Sequence, residues 1–198
     1  MGRVSKVQAT QNRSLILRTA CRMFRKYGVE TVSIADIMKA MGLTVGGFYK
    51  HFESKDALIN EAFRLTFEQS SKKWDQLSQL DDPTYTDGLM NLVEHYLTDR
   101  PPEQNCPILS FSSQVSNTPD DSLIKQTYSH GVDELFEQFK LLAEKEISTN
   151  DIPRQNKESE TNLLFAAMVG IGMLKRAVGE TQLVDEMKSS LLNKIKKL

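Results

Sequence analysis

The chain has 198 residues, 39% hydrophobic and 26% charged, a balance that suits a water-facing globular protein with one or two cores. No apolar run reads as long enough to span a bilayer. The basic N-terminus, MGRVSKVQATQNR, lacks the apolar segment of a secretory signal, and Lys6 stands where a myristoylation motif needs Ser or Thr. The net charge of −1 hides a division: residues 1–60 carry 10 Lys and Arg against 4 Asp and Glu, and the remainder 15 against 22. A basic third on an acidic body points to a nucleic-acid-binding head and a body with another task. The two cysteines, Cys21 and Cys106, provide neither a disulfide framework nor metal-ligand spacing, so a reducing, cytoplasmic setting without metal or cofactor is expected.

Helical periodicity dominates in chain order, with no convincing strand. Leu15, Ile16, Ala20, Met23, Phe24 and Tyr27 share one helical face, and Gly28 stops that helix. Ser33 caps a short second helix with Asp36 in its first turn; Ile34, Ile37, Met38 and Met41 are its apolar face, and Gly42 ends it. Thr44 opens a third helix from Val45 to about His51, and Ser54 caps a long fourth that runs past Trp74. Asp81-Asp82-Pro83 interrupts. Helices are expected over Tyr85 to Thr98, Ile108 to Val115, a long stretch around Val132 to Ala143, Asn162 to Val178 and Thr181 to Lys197, with proline-rich and polar loops at 99–107 and 148–161. The expected fold is all-α, about nine helices: a helix-turn-helix head, residues 1–53, on a helical bundle, residues 54–198.

The stretch Gly42 to Leu58, GLTVGGFYKHFESKDAL, carries the functional signal. Gly46 and Gly47 stand inside a short helix, where each costs about 0.5–1 kcal/mol relative to alanine. Two short helices joined by Met41-Gly42-Leu43-Thr44 make a helix-turn-helix, whose second helix enters the DNA major groove. Glycines there let the backbone approach closely, while Phe48 and Phe52 pack inward.

This stretch, with Phe24, Gly28, Thr31, Ile34, Ile37 and Met38 upstream, closely resembles the signature of the TetR family of bacterial repressors over roughly residues 10–60. The resemblance implies a homodimer whose heads read palindromic double-stranded operator DNA, and a small-molecule effector in the body that releases it. By position, Thr44, Val45, Gly47 and Lys50 would face bases or the groove, with Val45 against a thymine methyl. Tyr49 and His51 would contact phosphates. Lys55 at the start of the fourth helix, and Thr31 and Ser33 at the second, would add anion-favouring groups. Arg3 and Lys6 either enter the minor groove or stay unordered. Tyr49 either packs its ring or reaches outward, and Lys39, Arg22 and Arg25 read as solvated faces.

In the body, Trp74, Tyr96 and Phe111 are candidate effector contacts, with His95 a further polar candidate, although such aromatics more commonly build core. Cys106 precedes Pro107 at a helix start, where the dipole favours thiolate, so it is a candidate electrophile or redox sensor, with Lys175 or Arg176 as possible partners. Cys21, beside an apolar face, reads as inert. The small residues Ala166, Ala167, Gly170 and Gly172, and the stripe Val184, Met187, Leu191 and Ile195, suit a homodimer interface through the last two helices. No triad, metal cluster or phosphate loop suggests an enzyme. An activator, or a non-specific DNA-binding scaffold, shares the same pattern.

Overall fold

The computed structural model describes residues 6–79, 88–147 and 154–198. Arg3, the Asp81-Asp82-Pro83 break and the expected start of a helix at Tyr85 lie outside these residues. Among the described residues the chain is all-α, with nine helices: α1 Lys6–Tyr27, α2 Ile34–Ala40, α3 Val45–Phe48, α4 Lys55–Ser78, α5 Gly88–Leu97, α6 Pro107–Val115, α7 Leu123–Ile147, α8 Arg154–Val178 and α9 Gln182–Ile195. A 3₁₀ turn, Pro102–Gln104, precedes α6.

Local signals set most boundaries. Gly28 leaves α1 at φ +83, and Gly42 leaves α2 at φ +66, left-handed positions that side chains resist. Ser33 and Asp36 form a complete capping box on α2. Ser54 accepts from the Ala57 amide at 3.0 Å to open α4, and Thr181 accepts from Val184 to open α9.

The chain forms two packing units. The first holds residues up to 68 together with 100–131, and the second holds 69–99 and 132–198. The head expected at 1–53 therefore lies within the first unit, but residues 54–198 do not form one body: 54–68 and 100–131 pack with the head. In the first unit Ile16, Ala20 and Phe24 of α1 meet Ile37, Met38, Phe48, Leu58 and Phe63 in one core. Leu15 and Tyr27, expected on that face, are exposed, because the i, i+4 row of Ile16, Ala20 and Phe24 takes the centre. Phe63 stacks on Phe111 with ring centroids 4.0 Å apart, and Tyr128 meets Phe67 edge-on at 5.6 Å. Burying each Phe contributes about 1.5–3 kcal/mol.

In the second unit α5 packs against α8 and α9. Gln138 donates to Ser71 and Asp75, and Phe165 sits edge-on to both Phe136 and Phe139. Two sequence expectations change here. Helix α8 begins at Arg154, not Asn162, since the polar run before Asn162 winds as a helix that buries Thr161 and aims Glu160 at Lys194, 2.6 Å away. On α9, Val184, Leu191 and Ile195 turn into their own unit, while Leu183 is the exposed apolar residue.

Residues Lys157–Val178 are also long and apolar enough to cross a membrane by length and composition, contrary to the sequence expectation. Its charged residues gather at the two ends of the span, and Leu163, Met173, Leu174 and Val178 between or beside them are exposed.

Gly131 is a steric requirement. A Cβ there would lie 2.3 Å from the Phe67 ring. Gly131→Ala is expected to lower unfolding free energy by about 1–3 kcal/mol through overpacking, measured by urea denaturation. A variant as stable as the parent would show that Phe67 can move aside.

Candidate nucleic-acid interface

The head's surface is built from α2, the turn and α3. The turn is locked by backbone bonds: Gly42 and Met41 donate to Lys39 and Met38 at 3.0 and 3.1 Å, and Leu43 donates to Met38 at 2.9 Å. Helix α3 is one turn long, ending at Phe48 and not near His51; residues 49–51 continue as turn. Its anchors are Phe48, fully buried, and Phe52, stacked at 5.6 Å. The Phe52 amide closes the segment on the Phe48 carbonyl at 3.1 Å. Arg13 of α1 lies over the Phe52 ring at 4.5 Å and pairs with Glu61 of α4 at 2.6 Å. Nothing local marks Arg13, whose role shows only when α1 and α4 meet.

With those anchors inside, the opposite face of the segment is left outside. Thr44, Val45, Tyr49 and Lys50 are exposed, and His51 is half-buried. Tyr49 combines its two readings: the residue is 61% exposed while its ring lies edge-on to Phe48 at 5.2 Å. Thr44 occupies the N-cap position of α3 but makes no side-chain cap bond, which leaves its hydroxyl for an outside acceptor. Thr31 is exposed, and Lys55 opens α4 beside the Ser54 cap.

Ser33 is placed differently. Its amide and hydroxyl both donate to Asp36, at 2.9 and 2.6 Å, so neither donor is left for a phosphate. That hydrogen bonding holds the Asp36 carboxyl below its usual range and keeps a negative charge beside the cap.

The two glycines have no internal cause. Neither has positive φ. A Cβ on Gly46 would meet nothing within 4 Å, and one on Gly47 would make only ordinary contacts, 3.6 Å to Met38 and 3.8 Å to Thr44. The protein tolerates a helix cost of about 0.5–1 kcal/mol per glycine at a surface where its own packing asks for no glycine.

The other predicted residues fall in separate places. Trp74 is buried and edge-on to Tyr96 at 6.2 Å in the second unit. Phe111 is fully buried against Phe63 in the first, as core. Cys106 is the half-buried N-cap of α6. Lys175 is held in the second unit by Asp99 at 3.0 Å, Glu180 at 2.5 Å and the Leu97 carbonyl at 2.7 Å. The cations that feel the Cys106 sulfur are Arg25 and Arg100, which the sequence had left as a solvated face and unremarked. A signal for Arg25 was present: it follows buried Cys21 by one helical turn on the same side of α1. Cys21 donates to the Ala62 carbonyl, and burial pushes its thiol up. Among the described residues no group of His, Cys, Asp and Glu is arranged to hold a metal ion.

Among the described residues the chain is all-α and presents the second helix of a helix-turn-helix outward on phenylalanine anchors, the arrangement of helix-turn-helix DNA-binding heads. Residues 16–62 match the N-terminal domain of the tetR family of bacterial regulatory proteins. The transcriptional regulator AcrR of Shigella flexneri is 39% identical over 66 residues, 33% of this chain and 31% of that protein, so the match spans about a third of the relative's length. The fold extends further. A TetR transcriptional regulator from Chloroflexus aurantiacus superposes with a TM-score of 0.78 at 23% identity, covering 96% of both chains. NemR of E. coli, solved in its reduced form, gives 0.75 at 13% identity over 92% of this chain and 96% of that one. Residues 16–62 thus match a tetR-family DNA-binding domain, and beyond them the likeness to the solved regulators is one of fold.

Gly46→Ala is expected to raise unfolding stability by up to about 0.5–1 kcal/mol while weakening DNA binding. Thermal melts and a DNA titration on the same preparation check both halves. A variant that gains stability and keeps full affinity would remove close backbone approach as the reason for the glycine.

Proposed function

We propose that this protein is a cytoplasmic transcriptional regulator, acting as a repressor, that binds palindromic operator DNA as a homodimer and is released by a small-molecule or electrophile effector. The observation that carries this reading is the outward face of α3, where two sterically unconstrained glycines lie among exposed Thr44, Val45 and Lys50. Such a face suits a groove: backbone close to the base pairs, Val45 for a thymine methyl, Lys50 for a base edge or phosphate, and Tyr49, His51, Thr31 and Lys55 for the flanking phosphates. Ser33 acts instead by fixing the start of α2.

The homodimer reading is supported by a groove of about 790 Å³ between α8 and α9, lined by Leu163, Ala167, Gly170, Leu174, Leu183 and Met187 among others. A second copy's α8 and α9 would cover it and complete a four-helix contact. The same pairing accounts for the apolar exposed side of α8 without a membrane. The sign of regulation depends on the operator's place relative to the promoter, so activation is the second reading.

Cys106 is the favoured effector contact, and Trp74 with Tyr96 a second aromatic contact in the body. Cys106 lies in the same packing unit as the head, and Arg25 of α1 donates to the Glu103 carbonyl three residues before it. A change at Cys106 therefore has a short route to α1.

Three measurements bear on this. Selection from random duplex DNA at physiological salt should enrich a palindrome; sequence-independent binding would favour the scaffold reading. Leu174→Glu should convert a dimer to a monomer in sedimentation, and an unchanged mass would move the interface elsewhere. Cys106→Ser should leave operator affinity intact and abolish release by thiol-reactive compounds; persistent release would end the sensor role.

A further inference from the structure

Helix α3 is one turn long and carries two glycines, so it cannot hold itself in place. Its position is set by the two phenylalanines beneath it. Phe48 is fully buried in the core of the first unit. Phe52 fixes the far end of the segment: its amide donates to the Phe48 carbonyl at 3.1 Å and its ring stacks on Phe48 at 5.6 Å. Phe48 in turn meets the Tyr49 ring edge-on at 5.2 Å. The guanidinium carbon of Arg13, on α1, lies 4.5 Å from the centroid of the Phe52 ring. A side chain of α1 is thus linked to exposed Tyr49 through two stacked rings.

The guanidinium is itself held. Its Nη2 donates to Glu61 Oε1 of α4 at 2.6 Å, with the two side chains 42% and 23% exposed. A part-exposed ion pair and a part-exposed cation–π contact each add little to the stability of a whole chain. The core beside them, with Phe24, Phe48, Phe63 and Phe111 fully buried, is far larger. For a single turn of helix, contacts of that size decide position. The charges point the same way. A carboxylate on a basic head weakens its attraction for phosphates. Glu61 offsets that loss by keeping Arg13 on the ring.

We propose that Arg13 is a positioning residue for DNA recognition: paired with Glu61, it presses Phe52 into place and so holds residues 49–51 in register, without touching DNA itself. This rests on the α3 face being the DNA-reading surface.

Two readouts on the full chain test it, the first without DNA. Amide hydrogen exchange, followed by NMR, compares Arg13→Met, Arg13→Lys and Glu61→Met with the parent. The His51 and Phe52 amides both donate to the Phe48 carbonyl, whereas the Leu43 amide in the turn donates to Met38. In Arg13→Met and Glu61→Met the first two should exchange about three- to tenfold faster while Leu43 keeps its rate. Arg13→Lys, which keeps the cation, should restore most of the protection. Equal acceleration of all three amides would make the pair a general stabiliser and overturn the proposal, as would no change at His51 and Phe52.

The second readout is titration of the selected palindrome, and of a random duplex of equal length, across a range of salt. Glu61→Met removes a negative charge, so charge alone predicts tighter binding to both duplexes. Positioning predicts the opposite sign for the palindrome, a loss of about three- to tenfold, with the random duplex bound no more weakly. Tighter binding of the palindrome would overturn the proposal. Arg13→Met should weaken palindrome binding with an unchanged salt slope; a slope smaller by about one would make Arg13 a phosphate contact instead. A selection that yields no palindrome would sink the operator reading, and the exchange rates would still decide whether Arg13 sets the segment.

Discussion

The stack of Phe63 on Phe111 is the contact on which the first packing unit depends. At 4.0 Å between centroids and 14° between planes, it joins α4 to α6 and fixes residues 100–131 to the helices of the head. Such a pair adds about 0.5–1.5 kcal/mol beyond its area burial. Its position matters more than its strength, because it brings the turn before α6 against α1. Arg25 then reaches the Glu103 carbonyl, and Cys106 shares a unit with the helix-turn-helix. The expected division at residue 53 separated in sequence what this contact joins in space.

What was legible in the sequence was local. A capping box is three residues long, so Ser33 and Asp36 announced α2. A left-handed glycine ends a helix by its own backbone freedom, so Gly28 and Gly42 marked α1 and α2. The outward face of the α3 segment was legible for the same reason: Phe48 and Phe52 are one turn apart, and burying them turns Val45 and Lys50 outward. What was missed is long-range. Arg13 earns its place from Phe52 and Glu61, far along the chain. Arg25 looked solvated until the 3₁₀ turn covered it. The start of α8 was hidden because its polar first turns matched a loop by composition, and three residues of the α9 stripe, Val184, Leu191 and Ile195, are buried within their own unit.

The head also shows where stability yields to another demand. Arg13 holds Phe52 from one side and Glu61 from the other, and the α2 cap uses every donor of Ser33. These contacts stiffen the frame around a four-residue helix that carries two glycines. A helix so short has no independent stability. It is held in shape by its anchors, so the outward positions are free of any folding duty, and that freedom is what a recognition surface needs.

The open groove on α8 and α9 has a consequence in mass action. A chain that folds with Leu163, Leu174 and Leu183 in water gains stability from whatever covers them, by RT ln(1 + [L]/Kd). When the cover is another copy, the stabilising ligand is the protein itself. Its melting temperature then climbs with its own concentration, and a cell that makes little of it holds a less stable protein than one that makes much.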